Sequence, residues 1–134
     1  MFEVRFQTYW ADADAAGIVH FPNFFKFAER AEEDLFRTEG EELQSLLKSK
    51  GMWLPRVEAF SKFSKPIKLG TAIRVRLKPQ LKGEKTIRYD FEVVSDVEAE
   101  KLAEGYITVV CVDAATFKST RLPDVIRKII TKYA

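Results

Sequence analysis

The chain opens on an alternation of apolar and polar residues between Phe2 and Gln7, with apolar side chains at the even positions up to 6. A period of two predicts a strand with one buried face. The same period returns after Gly51. The four further strands that it predicts cover residues 53–63, 72–79, 86–95 and 102–113. The last of these is apolar on both faces between Tyr106 and Val112, so we expect it inside a sheet or against a partner.

Between the first strand and the others, the apolar residues recur at helical spacing. This helix is predicted to begin near Pro22, because proline is tolerated in the first turn, where an N–H would be unpaired anyway. Its predicted apolar face comprises Phe24, Phe25, Ala28, Ala31, Leu35 and Phe36. Gly40 is a typical helix stop. A short second helix over residues 41–50 and a C-terminal helix from about Pro123 follow from the same spacing.

This order of elements predicts a single α+β domain spanning residues 1–134. One strand, one long apolar helix and four antiparallel strands follow each other along the chain, with no repeat or linker. A helix this apolar must be enclosed. A curved sheet wrapped round it is the simplest arrangement that encloses it.

Composition narrows the class of protein further. A net charge of +2 from scattered basic residues does not suggest a nucleic-acid partner. No apolar run is long enough for integral membrane contact, and the first residues lack the pattern of a signal peptide. The only cysteine, Cys111, lies in an apolar strand, so we expect a buried thiol rather than a nucleophile. A cytoplasmic location is the resulting expectation.

Two aspartates, Asp12 and Asp14, lie between the first strand and the long helix. The N-terminus of a helix offers unpaired N–H groups and the positive end of its dipole, which can bind a developing oxyanion. A carboxylate beside it can act as a nucleophile or as a general base. The loop therefore suits attack on a polarised carbonyl group. The aspartates equally fit a structural interpretation, in which they cap the loop and the helix.

The string DADAAGIVHFPNFFKFAERA, residues 12–31, resembles the N-terminal motif of hotdog-fold acyl-CoA thioesterases of the 4-hydroxybenzoyl-CoA thioesterase family. The resemblance implies a hotdog fold, in which a curved antiparallel sheet of five or six strands wraps round a long central helix. It also implies an acyl-CoA substrate that is hydrolysed to the free acid and CoA without a metal or other cofactor. Members form homodimers and often homotetramers, with active sites at the dimer interface.

Several residues of this chain match functional positions of that family. Asp14 matches the catalytic carboxylate, which acts as nucleophile or general base. Phe21 matches the residue whose backbone N–H polarises the thioester carbonyl. Asp12 and Gly17 match residues that shape the loop, and Gly17 would allow a positive φ there. Tyr9 matches an aromatic residue that often precedes the motif.

Two glutamates on the long helix are further candidates for the site. Glu32 falls in the middle of the predicted apolar face, where a lone buried carboxylate is costly. We therefore expect it to have a partner or to border an acyl pocket, unless the helix is exposed at that point. Glu29 matches an acidic position of the family and flanks the same face. Other hotdog enzymes place a catalytic carboxylate on this helix, so Glu29 and Glu32 are reserve candidates for that role.

Aromatic and basic residues complete the predicted substrate contacts. The aromatic residues that could line an acyl pocket are Phe24, Phe25, Phe27, Trp53, Phe60 and Phe63. Their helix and strand spacing favours the core over a pocket. Lys65, Lys82 and Lys85 are candidates for contacting the phosphates of CoA, although a solvated surface would use lysines in the same way.

Two other functions fit parts of the sequence. Hotdog hydroxyacyl-thioester dehydratases also carry a His-Phe-Pro tripeptide, with the histidine as base, and His20, Phe21 and Pro22 form the same tripeptide here. The proline-rich segment that usually follows it in those enzymes is missing from this chain. Otherwise His20 is a loop residue or a substrate contact. The remaining alternative is a non-catalytic dimer that binds acyl-CoA.

Overall fold

Five antiparallel strands form one sheet round the long helix. The computed structural model describes all 134 residues. In chain order the elements are β1 (Phe2–Gln7), α1 (Asn23–Thr38), α2 (Leu43–Lys50), β2 (Met52–Trp53), β3 (Arg56–Phe63), β4 (Ala72–Leu81), β5 (Thr86–Ser95), β6 (Lys101–Val110), β7 (Val112–Asp113) and α3 (Asp124–Tyr133). The sheet order is β1-β4-β5-β6-β3, and β2 pairs with β7 in a separate ribbon. The predicted α+β class is confirmed.

Two of the predicted strands are each divided in two. The strand predicted over residues 53–63 breaks at Leu54 and Pro55, because proline has no N–H to donate to the ladder. The strand predicted over residues 102–113 is interrupted at Cys111, which is buried as expected. The short pieces beyond each break, β2 and β7, pair with each other. The main part of the last strand, β6, lies inside the sheet between β5 and β3.

Helix α1 fills the concave side of the sheet. It begins at Asn23, directly after Pro22, and its end is followed by Gly40 at φ +81°. Its buried residues are Asn23, Phe24, Phe27, Ala28, Ala31, Glu32, Leu35 and Phe36. The predicted apolar face is confirmed except for Phe25, which is only partly buried. Phe27 is buried too, although the prediction did not include it in this face. No helix of the chain has both the length and the apolar character needed to cross a membrane.

The C-terminal helix α3 joins the two ends of the chain. It packs against β4 and buries Ile126, Ile129 and Ile130. The Met1 amino group donates a hydrogen bond to the carbonyl oxygen of Tyr133 at 2.7 Å. The Tyr133 hydroxyl in turn donates to Glu39 at 2.8 Å, so α3 also holds the end of α1.

Strand β3 is an uncovered edge of the sheet. Seven of its eight residues are exposed, including Val57, Phe60 and Phe63. The expectation of a core position was therefore wrong for Phe60 and Phe63, and also for Trp53, which is 42% exposed. A long exposed edge strand is a template for pairing with another strand, because its outer N–H and C=O groups have no partner.

Gly105 of β6 allows β3 to approach closely. A Cβ atom at this position would overlap the carbonyl oxygen of Phe60 and would lie 2.9 Å from the Cα of Ser61. Both are backbone atoms, which cannot rotate away. We expect Gly105→Ala to lower the free energy of unfolding by about 3 kcal/mol, measured by urea denaturation. Thr108→Ala, on the outer face of the same strand, is the control; equal stability of the two variants would contradict this packing.

Candidate active site

The loop that contains Asp12 and Asp14, called the aspartate loop below, forms a short hairpin between β1 and α1. Ala13 pairs with Val19, and the Asp14 N–H donates to the Ile18 carbonyl at 2.9 Å. Gly17 sits at the tip with φ +77°, a conformation that glycine adopts without strain. The Val19 N–H donates to the Ile67 carbonyl at 2.8 Å, which ties the hairpin to the segment after β3. The sequence therefore builds a fixed loop at the N-terminal end of α1.

Asp14 is exposed at this hairpin, with one carboxylate oxygen free. Its Oδ1 accepts a hydrogen bond from the Ala16 N–H at 2.8 Å, whereas Oδ2 has no protein partner. Asp12 differs, because its Oδ2 accepts the Tyr9 N–H at 2.8 Å and its carbonyl accepts the His20 N–H at 2.8 Å. The two aspartates are thus unequal. Asp12 holds the loop together, and Asp14 presents an unpaired oxygen to solvent.

The backbone N–H of Phe21 has no hydrogen-bond acceptor within the chain. The neighbouring amides of His20, Asn23 and Phe24 all donate to carbonyl groups of the loop or of the first helical turn. Pro22 has no N–H to donate. The free amide at the start of α1 is therefore that of Phe21, the position that the motif singled out.

Asn23 is a structural member of the site that the sequence interpretation did not assign. Its side-chain amide donates to the carbonyl of Asp12 at 2.8 Å, and the residue is buried. This bond fixes the loop to the first turn of α1. A signal was present, because Asn23 is the only asparagine of the chain and lies within the motif.

Tyr9 and His20 flank the loop without forming part of its hydrogen-bond network through their side chains. Tyr9 is 62% exposed. The His20 ring is exposed and packs edge-on against the Phe21 ring, with centroids 5.2 Å apart. The imidazole makes no hydrogen bond with another side chain of the chain.

An apolar cavity of about 360 Å³ lies beside the hairpin. Phe21, Phe24 and Phe63 line it, and the Phe24 and Phe63 rings meet edge-on with centroids 4.9 Å apart. Lys65 stands at its rim and forms an ion pair with Glu100. The other two predicted CoA contacts, Lys82 and Lys85, lie at the turn between β4 and β5. That turn is at the opposite end of the sheet from the aspartate loop.

A larger cavity of about 900 Å³ lies between α1, α2 and the start of β3. Glu29, Glu32 and Arg56 line its floor. The Arg56 guanidinium donates to both carboxylate oxygens of Glu32 and also to the Leu54 carbonyl at 3.3 Å, while Glu29 is 3.7 Å away. Glu32 was expected to have a partner or to border a cavity. Its partner is Arg56, and it also borders a cavity. Asp14 lines neither this cavity nor the smaller one.

The Glu32 carboxylate is buried in an apolar setting. Burial raises its pKa, and the nearby Arg56 charge offsets only part of that effect. Tyr89 is also buried, with its hydroxyl near this carboxylate. Burial, followed by the negative charge of Glu32, raises the pKa of Tyr89 well above its ordinary value. Burial therefore disfavours the charged forms of both Glu32 and Tyr89.

Comparison with known proteins identifies the class. The chain belongs to the thioesterase-like superfamily, whose model matches residues 8–130. It is 30% identical over 121 residues to the 1,4-dihydroxy-2-naphthoyl-CoA hydrolase of Nostoc punctiforme, covering 90% of this chain and 78% of that one. The protein of the same name from Thermosynechococcus vestitus is 38% identical over 72 residues, which span 54% of this chain and 49% of that protein.

A solved structure agrees along nearly the whole chain. The 1,4-dihydroxy-2-naphthoyl-CoA thioesterase from Synechocystis superposes with a TM-score of 0.92 at 28% identity, covering 97% of this chain and 95% of that one. The predicted family, hotdog fold and enzyme class, a thioesterase, are thereby confirmed.

Proposed function

We propose that the chain hydrolyses the thioester of an aromatic acyl-CoA, with Asp14 as its catalytic carboxylate and the Phe21 amide as its oxyanion donor. The observation that carries this proposal is that two groups of the same loop have no hydrogen-bond partner. The Asp14 Oδ2 and the Phe21 N–H both have no partner in the chain. The first N–H groups of a helix have no acceptor within the helix, so the free one at this N-terminus can donate to a ligand's carbonyl oxygen.

In this mechanism the thioester carbonyl oxygen accepts the Phe21 N–H, and negative charge that develops on it is stabilised by the N-terminus of α1. Asp14 either attacks the carbonyl carbon or removes a proton from a water molecule that does so. If Asp14 attacks, the carbon–sulfur bond breaks, the CoA thiolate takes up a proton, and water then hydrolyses the acyl-aspartyl anhydride, which releases the acid and restores the carboxylate. If water attacks, its oxygen bonds to the carbonyl carbon, Asp14 takes its proton, the carbon–sulfur bond breaks and the thiolate leaves with that proton. The products are the free acid and CoA.

The proposed site is shared between two copies of the chain. Asp14 lies in the loop before α1, and the large cavity lies against the middle of this helix, which is about 24 Å long. The free edge of β3 suits antiparallel pairing with its counterpart about a two-fold axis. Such pairing sets the Arg56 end of one strand beside the Phe63 end of the other. It would carry the large cavity of one protomer toward the aspartate loop of its partner.

The relatives' names guide the choice of acyl group. The Nostoc and Synechocystis proteins are named for 1,4-dihydroxy-2-naphthoyl-CoA, a thioester of a bicyclic aromatic acid. The cavity volume of about 900 Å³ lies within the range typical of small-molecule pockets. We assign a CoA phosphate to Lys65 at the rim of the small cavity, where the phosphate would replace Glu100 as its ionic partner.

The experiment is a thiol-release assay with 1,4-dihydroxy-2-naphthoyl-CoA, benzoyl-CoA, hexanoyl-CoA and palmitoyl-CoA. We expect the highest kcat/KM for an aromatic substrate. Absence of thiol release from every substrate, with binding retained, would instead support the non-catalytic acyl-CoA-binding alternative. Dehydration of a 3-hydroxyacyl-CoA without thiol release, lost in His20→Ala but retained in Asp14→Asn, would support the dehydratase alternative.

A further inference from the structure

The mouth of the large cavity carries two aromatic side chains that the core does not use. Trp53 and Phe117 both line the cavity. They are 42% and 64% exposed, respectively. They lie on the ribbon formed by β2 and β7 and on the turn that follows it, where the Ala114 N–H donates to the Gly51 carbonyl at 2.8 Å. The ribbon thus holds one side of the opening.

Phe117 has a backbone conformation that is costly for a bulky residue. Its φ is +58°, in the left-handed region that favours glycine. An exposed phenylalanine in this conformation gains little from packing, so neither its side chain nor its backbone is explained by stability. Strain of this kind is characteristic of functional positions, where the surrounding structure enforces it.

The turn that carries Phe117 is built to hold this conformation. The Asp113 Oδ1 accepts the N–H groups of Ala115 and Thr116, each at 2.9 Å. The Asp113 carbonyl accepts the Phe117 N–H at 2.8 Å, and the Asp113 N–H donates to the Lys118 carbonyl at 2.9 Å. One aspartate therefore organises the whole turn and fixes the direction of the Phe117 side chain.

The charges of the cavity limit what it accepts. Four glutamates and two basic residues line it: Glu29, Glu32, Glu33, Glu42, Lys48 and Arg56. Arg56 pairs with Glu32, and Glu33 lies 3.7 Å from Arg37. The remaining charges are Glu29 and Glu42 against Lys48, so the cavity has an excess of negative charge. It disfavours an anionic group and suits an uncharged one whose polar substituents donate hydrogen bonds.

From these observations we infer that Trp53 and Phe117 form an aromatic clamp that selects flat, uncharged aryl groups as the acyl part of the substrate. Two aromatic faces at the opening of a cavity contact a flat ring over a larger area than they contact an alkyl chain. The acidic floor below them excludes acyl groups that end in a carboxylate. The inference rests on the proposed thioesterase function and adds the residues that determine its specificity.

The test compares aryl and alkyl substrates in wild type and in Phe117→Gly. Glycine relieves the strained φ, so we expect an equal or higher melting temperature together with about a tenfold lower kcat/KM for naphthoyl-CoA. The kcat/KM for hexanoyl-CoA should stay nearly unchanged. Phe117→Leu and Trp53→Leu, which keep apolar bulk, should shift the aryl-to-alkyl ratio in the same direction. Val97→Ala, at an exposed apolar residue outside both the cavity and β3, should leave that ratio unchanged.

A binding measurement separates this inference from the proposed function. A naphthacyl thioether of CoA cannot be hydrolysed, so its Kd is measurable whether or not the chain turns over thioesters. We expect Phe117→Gly to weaken its binding about tenfold and to leave that of a hexyl thioether of CoA unchanged. Equal losses for both ligands, or no loss for either, would overturn the aromatic clamp. A wild type that binds both thioethers without hydrolysing any thioester would overturn the proposed function alone.

Discussion

Replacing Asp14 with asparagine is expected to lower kcat for thioester hydrolysis by about 100- to 10,000-fold, the usual contribution of a positioned carboxylate. An asparagine oxygen can still accept the Ala16 N–H, so the hairpin should keep its shape. The carboxamide cannot act as a nucleophile or remove a proton from water at neutral pH. Steady-state thiol release measures the effect, and urea denaturation should give an unchanged free energy of unfolding because Asp14 is exposed.

Asp34→Asn is the matched control for this variant. Asp34 lies on α1, away from the hairpin, and its closest charged partner is Arg37 at 3.5 Å. We expect activity close to that of wild type. Wild-type kcat in Asp14→Asn would remove the carboxylate from the mechanism and would move attention to Glu29 and Glu32, the reserve candidates on α1.

Replacing Arg56 with methionine is expected to lower the free energy of unfolding by about 3 kcal/mol at pH 8, because it leaves the Glu32 charge buried without a partner. The partial exposure of Arg56 places the loss at the low end for a broken buried pair. Adding Glu32→Gln removes the orphaned charge, so the double variant should recover most of the stability. A double variant no more stable than Arg56→Met would contradict the assigned pairing.

The same variant has a predicted pH dependence. Burial already raises the pKa of Glu32 above its ordinary value, and loss of the Arg56 charge raises it further. The folded state then binds a proton more tightly than the unfolded state. Its stability therefore falls as the pH rises from about 4.5 through the folded-state pKa. The deficit of Arg56→Met relative to wild type should be smaller at pH 5 than at pH 8, by urea denaturation at both values.

Local patterns predicted most of the fold, because they depend on one face of each element being buried. The period of two located every strand of the main sheet, and the helical period located α1, α2 and α3. Gly17 and Gly40 were predicted from local backbone requirements, and both adopt a positive φ. The break at Pro55 had a local signal that the prediction did not use, since proline cannot donate to a strand ladder. The break at Cys111 has no such signal, and it accompanies the pairing of β2 with β7, a contact between distant parts of the chain.

The candidate site was predictable only where it is continuous in sequence. Residues 12–31 contain the loop, the free amide and the start of α1, so one motif described them together. The partner of Glu32 lies 24 positions away on another element, and no periodicity could connect the two residues. Phe117 belongs to a turn whose cavity forms only when β7 meets β2. Its strained backbone is visible only in the folded chain.

The central claim is that Asp14 and the Phe21 amide act on the same carbonyl group. A crystal structure of the protein with the naphthacyl thioether of CoA tests it most directly, because the ketone oxygen of this ligand stands where the thioester oxygen would lie. The account predicts that oxygen at about 3 Å from the Phe21 backbone nitrogen, with the Asp14 carboxylate beside the carbonyl carbon and the aryl ring in the large cavity of the partner protomer. A ligand bound with its carbonyl away from Phe21, or with Asp14 still facing only solvent, would contradict it.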